Sequence, residues 1–214
     1  GIPLAGGHSI DAPEPFFGLA VTGEVEIANI KRNDTAKDGD LIYLTKPLGV
    51  GILSTAQKRG KLKAEHEHIG PDLMVQLNRI GYDLGKYKNV SAMTDVTGFG
   101  LAGHLLEICN GSGLSAEIEF DRIPVIPEAL IYVAEGCYPD GTLRNWKSYG
   151  EHITGADDMK RMLLLSDPQT SGGLMFTMAA DHNLSELLIE LGITDPIVRI
   201  GKMVPRTTKG ILVS

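Results

Sequence analysis

The stretch Met93-Thr94-Asp95-Val96-Thr97-Gly98-Phe99-Gly100-Leu101-Ala102-Gly103-His104 constrains the fold more than any other. Residues 90–93 are short apolar strand material. Gly98 and Gly100 permit a positive φ or the close approach of another backbone. Leu101, Leu105, Leu106 and Ile108 then lay down a helical apolar face. A strand must end, turn tightly and feed a helix. Asp95 stands where the strand stops, ahead of the free N–H groups that open the helix. A carboxylate there suits a hard cation such as Mg²⁺, and the N–H groups suit phosphate oxygens. The same residue would also serve simply to offset the helix dipole.

The rest of the chain repeats this alternation. Strands are predicted at 17–26, 41–45, 114–120, 174–178, 197–204 and 210–213. Helices are predicted at 50–59, 71–86, 127–135, 159–165 and 182–191, and residues 136–157 read as a long loop. No internal repeat is present. The pattern predicts an α/β (α+β) fold with a mixed sheet flanked by helices. The apolar run within 17–26 predicts a strand buried on both faces, which needs neighbours. The polar connector that follows predicts a boundary, with 1–31 a remnant of one domain and 32–214 a second. The opening Gly1-Ile2-Pro3-Leu4-Ala5-Gly6-Gly7, without an initiator Met, reads as the middle of a fold. Stripped of partners, the strand at 17–26 is expected to associate non-natively or to be locally disordered.

Charge excludes one class of function. Twenty Lys and Arg against 27 Asp and Glu give −7, so no basic surplus is available to neutralise a nucleic-acid backbone. Two cysteines, Cys109 and Cys137, form no disulfide framework and predict a reducing, cytoplasmic setting. Cys109 is expected to be buried on a helix, and Cys137 to be exposed in a loop. No signal peptide and no membrane-spanning apolar run is evident.

Three glycine turns combine hydroxyls with an Asp: 6–11, 94–100 and 167–173. Backbone N–H groups and hydroxyls bind oxygen anions, and carboxylates bind the accompanying ion. None of the three is a Walker A or a Rossmann loop. His8, inside the first turn, is a candidate for nucleotide contact. His104 reads as structural, by capping or packing, and His152 stays open. His66 and His68, two apart, fall on different helix faces and read as a solvated stretch rather than a zinc pair. Ser166 and Ser171 lack a nucleophile elbow. Arg144 and Asn145 offer a cation and an amide to phosphate, or belong to an ordinary exposed loop anchored by Trp146.

Several segments together resemble the selenophosphate synthetase (selenide, water dikinase) family. They are Leu4 through Asp11, Gly18 through Gly23, Leu44-Thr45-Lys46-Pro47-Leu48-Gly49, Met93 through Leu101, Gly141-Thr142 with Arg144-Asn145, and Ser166 through Leu174. The turn after residue 93 is shared more loosely with the aminoimidazole ribonucleotide synthetase superfamily. Gly-Gly-His-Ser-Ile and Asp-Pro-Gln-Thr-Ser-Gly-Gly are more particular to the selenophosphate branch. The resemblance implies an aminoimidazole ribonucleotide synthetase C-terminal-like domain preceded by a remnant strand of an N-terminal ATP-binding domain. It implies conversion of selenide, ATP and water to selenophosphate, AMP and phosphate with Mg²⁺, in a homodimer. Asp95 then matches a Mg²⁺ ligand, and Gly7, His8 and Ser9 match the ATP-contacting turn. The family's reactive Cys or Sec, its nearby Lys and most Mg²⁺-binding Asp residues lie upstream of this sequence. Cys109 and Cys137 do not match the catalytic position, so no catalytic residue is assigned and the chain alone is expected to be inactive. A sister phosphotransferase or ligase and a non-catalytic scaffold are the alternatives. The Asp-Pro-Gln-Thr-Ser-Gly-Gly turn argues against the sister enzyme.

Overall fold

Burial starts late in this chain. In a computed structural model that describes residues 2–192 and 196–214, the first buried residue is Ala36, and Leu41–Leu44 (β1) opens a seven-stranded sheet. The other strands are Val90–Asp95 (β2), Leu114–Ile118 (β3), Ile153–Thr154 (β4), Leu174–Met178 (β5), Val198–Pro205 (β6) and Ile211–Val213 (β7). Their order is β2-β5-β1-β6-β3-β7-β4. Pairing is antiparallel from β2 to β3, then parallel from β3 through β7 to β4. The sheet is therefore mixed, as the alternation predicts.

Helices Val50–Lys58 (α1), Ile69–Val75 (α2), Ile80–Leu84 (α3), Gly100–Ser112 (α4), Pro127–Ala134 (α5), Asp140–Tyr149 (α6), Met159–Leu165 (α7) and Leu184–Glu190 (α8) flank it. Alternate residues of a strand point to opposite faces. Ile42, Leu44 and Met175 accordingly join the large core with α1, α4 and α5, while Tyr43, Phe176 and Met178 pack with Leu84 of α3 and Leu187 of α8. The glycine-to-helix turn ends in α4, whose C-cap Gly113 is left-handed at φ 68.

Four expectations are corrected. Residues 17–26 form no strand: Phe17, Leu19 and Val21 are 88, 68 and 73% exposed. An apolar run pairs only when another strand offers its backbone, and among the described residues none does. The predicted helix 71–86 breaks into α2 and α3, because carbonyls at its middle are taken by side chains from elsewhere. Lys46 Nζ donates to Gln76 O (2.7 Å) and Leu73 O (3.4 Å), and Ser171 Oγ donates to Met74 O at 2.8 Å. The expected loop at 136–157 contains α6 and β4. Thr142, Asn145 and Tyr149 are buried at helical spacing, a polar stripe that a search for apolar periodicity passes over. Cys137 is buried, its N–H donating to Tyr132 O at 2.8 Å just past the end of α5.

Candidate functional site

β2 and β5 are antiparallel neighbours, with Asp95 opposite Leu174. The end of one is beside the start of the other. The turn leaving β2 and the turn entering β5 must therefore meet at one end of the sheet. Val96 N donates to Gly173 O at 2.9 Å, and Gln169 N to Thr97 O at 3.0 Å. The approach leaves no room for a side chain, since a Cβ on Gly172 would lie 2.1 Å from Val96 O. Gly100 turns with φ +70 against the backbone of Ser166, where a Cβ would stand 2.8 Å from the carbonyl carbon.

Polar side chains from distant elements hold the pair. Asn145 on α6 donates from Nδ2 to Gly98 O (2.8 Å) and Ser166 O (3.1 Å), tying both turns through one amide. Tyr149 OH donates to Phe99 O at 2.7 Å. Gln169 Oε1 accepts from Gly49 N (3.2 Å) and Val50 N (3.3 Å), supplying the cap that α1 lacks locally. Gln169 Nε2 donates to Asp167 Oδ2 at 2.7 Å. Asp167 is fully buried, and burial pushes its carboxyl up to about 7 although Gln169 and the N–H groups at the start of α1 pull the other way. Lys46, 6% exposed, also donates to Ser171 O at 2.8 Å, and Asn78 Nδ2 donates to Gly172 O at 2.8 Å. Burial lowers the Lys46 pKa. Ser171 itself is left-handed at φ 52, the one non-glycine residue so placed among those described.

Over this base, Asp95 is exposed, and its carboxylate makes no hydrogen bond or ion pair among the described residues. Mg²⁺ is commonly bound through one or two carboxylates plus phosphates and waters, so a free strand-end carboxylate fits as one ligand. No cluster of three metal-binding side chains surrounds it among the described residues. Gly7, His8 and Ser9 lie in the exposed leading segment and make no hydrogen bond to either turn. The turns at 94–100 and 167–173 are thus brought together, and the turn at 6–11 is not. His66 Nδ1 pairs with the Tyr132 hydroxyl at 2.6 Å. His104 is buried between Thr97 and Glu107. Sequence reasoning missed the structural roles of Lys46, Asn145, Asp167 and Gln169. All four stand in the motif segments, so the signal was present, but no local pattern says that they face inward.

Residues 37–214 match the family model described as AIR synthase related protein, C-terminal domain. The chain is 56% identical over 209 residues to the selenide, water dikinase of Aeromonas hydrophila subsp. hydrophila, covering 97% of this chain and 60% of that protein. It is 58% identical over 181 residues to that of Shewanella sp. (strain MR-4), covering 85% and 51%. The chain therefore spans about half the length of the curated relatives it matches. Among solved structures, it superposes on hydrogenase maturation protein HypE in complex with ATP at TM-score 0.61 and 18% identity, covering 89% of this chain and 52% of that one. Thiamine-monophosphate kinase from Stenotrophomonas maltophilia K279a gives 0.59 and 23%, with coverage of 86% and 52%. At those identities the likeness carries the fold alone.

Proposed function

The chain belongs to the AIR synthase-related family through the C-terminal domain matched at residues 37–214, and from that premise we propose that it is the C-terminal part of a selenide, water dikinase. The reaction takes selenide, ATP and water to selenophosphate, AMP and phosphate. The observation that carries this reading is the pairing of the turns at 94–100 and 167–173, beside a free carboxylate at Asp95. Both turns belong to the segments that resemble the family, and the identity to two dikinases exceeds half.

Phosphoryl transfer is mostly positioning and charge neutralisation, so few acid–base groups are needed. Asp95 would hold Mg²⁺, which when bound supplies positive charge against the phosphate oxygens. The backbone of the paired turns orients those oxygens, and the polar side chains beneath keep the turns at fixed separation. Gly7, His8 and Ser9 reach ATP from the N-terminal side. Residues 1–31 belong to that neighbouring domain. The nucleophilic residue and the remaining carboxylates come from polypeptide outside this sequence, and the complete protein works as a homodimer in the cytoplasm.

The test is ³¹P NMR of ATP with selenide and Mg²⁺. The complete protein is expected to form selenophosphate and AMP, and the 214-residue chain alone to form neither. Turnover by this chain alone refutes the assignment of the nucleophile elsewhere. A complete protein that transfers phosphate to another acceptor but not to selenide refutes the substrate.

A further inference from the structure

His104 sits one turn into α4, 7% exposed, with both ring nitrogens engaged. Nε2 is 3.1 Å from Thr97 Oγ1, and Nδ1 is 3.0 Å from Glu107 Oε2. The chain makes both contacts cheaply. Glu107 follows at i+3 on the same helix face, and the turn leaving β2 carries Thr97 back over the helix start. The Phe99 ring lies beside the imidazole, with centroids 5.6 Å apart, and helps to shield it.

Hydrogen-bond chemistry fixes the direction of this chain. An ionised carboxylate only accepts, so Nδ1 carries a proton whether the ring is neutral or charged. In the neutral ring Nε2 then offers a lone pair, and the Thr97 hydroxyl donates to it. The Thr97 proton is committed inward, and the lone pairs of Oγ1 remain for a ligand. Such an oxygen repels a bare phosphate oxygen and accepts from water. Thr97 is half-buried, two residues beyond Asp95, and its own carbonyl is held by Gln169 N at 3.0 Å. Glu107 lies at the far end, its side chain 44% exposed. The three groups therefore lead from the paired turns, through a buried ring, to solvent.

We propose that Thr97, His104 and Glu107 form a relay that accepts the proton of the water consumed in the reaction. Thr97 touches that water, and His104 and Glu107 are positioning residues behind it. This inference rests on the dikinase reading and deepens it. As the water oxygen bonds to phosphorus, the anhydride oxygen leaves with its electron pair. One water proton passes to Thr97 Oγ1 while the Thr97 proton passes to His104 Nε2. The product is an imidazolium facing the Glu107 carboxylate, and its proton is returned to solvent.

Two measurements test the relay. In the chain with ¹⁵N-labelled histidine, His104 is expected as the Nδ1–H tautomer below full protonation, and an Nε2–H tautomer overturns the proposal. In the complete enzyme, His104→Gln is expected to lower kcat for AMP formation about 100-fold, in the range of a lost general base, with KM for ATP held within about twofold. Glu107→Gln is expected to move kcat in the same direction. Thr97→Ser keeps the hydroxyl and is expected to retain most of the rate, whereas Thr97→Val loses it. A raised KM with kcat intact, or a fully active Thr97→Val, overturns the relay while leaving the dikinase reading standing. A complete wild-type enzyme that forms no AMP overturns both, and the tautomer is then read independently of the reaction.

Discussion

Asp167→Asn converts a buried acid into a neutral isostere, and its effect on stability can be worked from the site. Burial raises the folded carboxyl to about 7, against about 3.9 for an unperturbed Asp. A folded pKa above the unfolded one means that the native state binds the extra proton. Its stability is then fully present below about pH 4 and is lost as pH rises through about 7. At about 1.4 kcal/mol per unit, the wild-type chain gives up roughly 4 kcal/mol by pH 8, of which about 2.5 falls between pH 5 and pH 8. The Asn side chain keeps an oxygen to accept from Gln169 Nε2 and has no charge to desolvate. Urea unfolding followed by circular dichroism at pH 5 and pH 8 reads the difference. The gap between the two proteins is expected to widen in favour of Asn by about 2.5 kcal/mol, about 1 M in urea midpoint. Subtracting the two proteins removes the other titrating groups. A gap that stays constant with pH, or that moves towards Asp at high pH, refutes the claim that burial dominates at this carboxyl.

Lys46→Met should cost about 2–4 kcal/mol by urea unfolding, since the carbonyls of Leu73, Gln76 and Ser171 lose one shared donor. Arg is not expected to rescue it, because a planar fork cannot replace a point donor. Gly172→Ala forces the turns apart at Val96 O. It should destabilise by about 2 kcal/mol or more and speed hydrogen exchange at the Val96 amide. Asp95→Asn, at an exposed side chain with no partner among the described residues, should leave stability within about 0.5 kcal/mol and reduce Mg²⁺-dependent turnover in the complete protein.

The strand, turn and helix around Asp95 were legible in the sequence because local apolar periodicity and two glycines determine them. β1, α1, α5 and β5 were legible for the same reason. The break between α2 and α3 was not. It depends on Lys46, 30 residues before Gln76, and on Asn78 meeting Gly172 across 94 residues. No local window contains those pairs. α6 was missed because the stripe it buries is Thr142, Asn145 and Tyr149 rather than aliphatic. The run at 17–26 misled in the opposite sense. Its composition suits a strand, but a strand is a property of two backbones, and the described residues supply only one. At the site, the glycine turns could be picked out individually. Their pairing could not, because it follows from the antiparallel register of β2 and β5.

Lys46 has an electrostatic consequence beyond the helix break. Its ammonium is held by carbonyl oxygens and has no carboxylate partner among the described residues. Carbonyls solvate a cation without cancelling it, and the protein interior screens its field less than water does. These 214 residues carry a net charge of −7, which disfavours anions at long range. Directly beneath Ser171 this buried positive charge opposes that sign. An anion near this turn is therefore attracted by a charge fixed in the floor of the turn, set against the chain's overall negative charge.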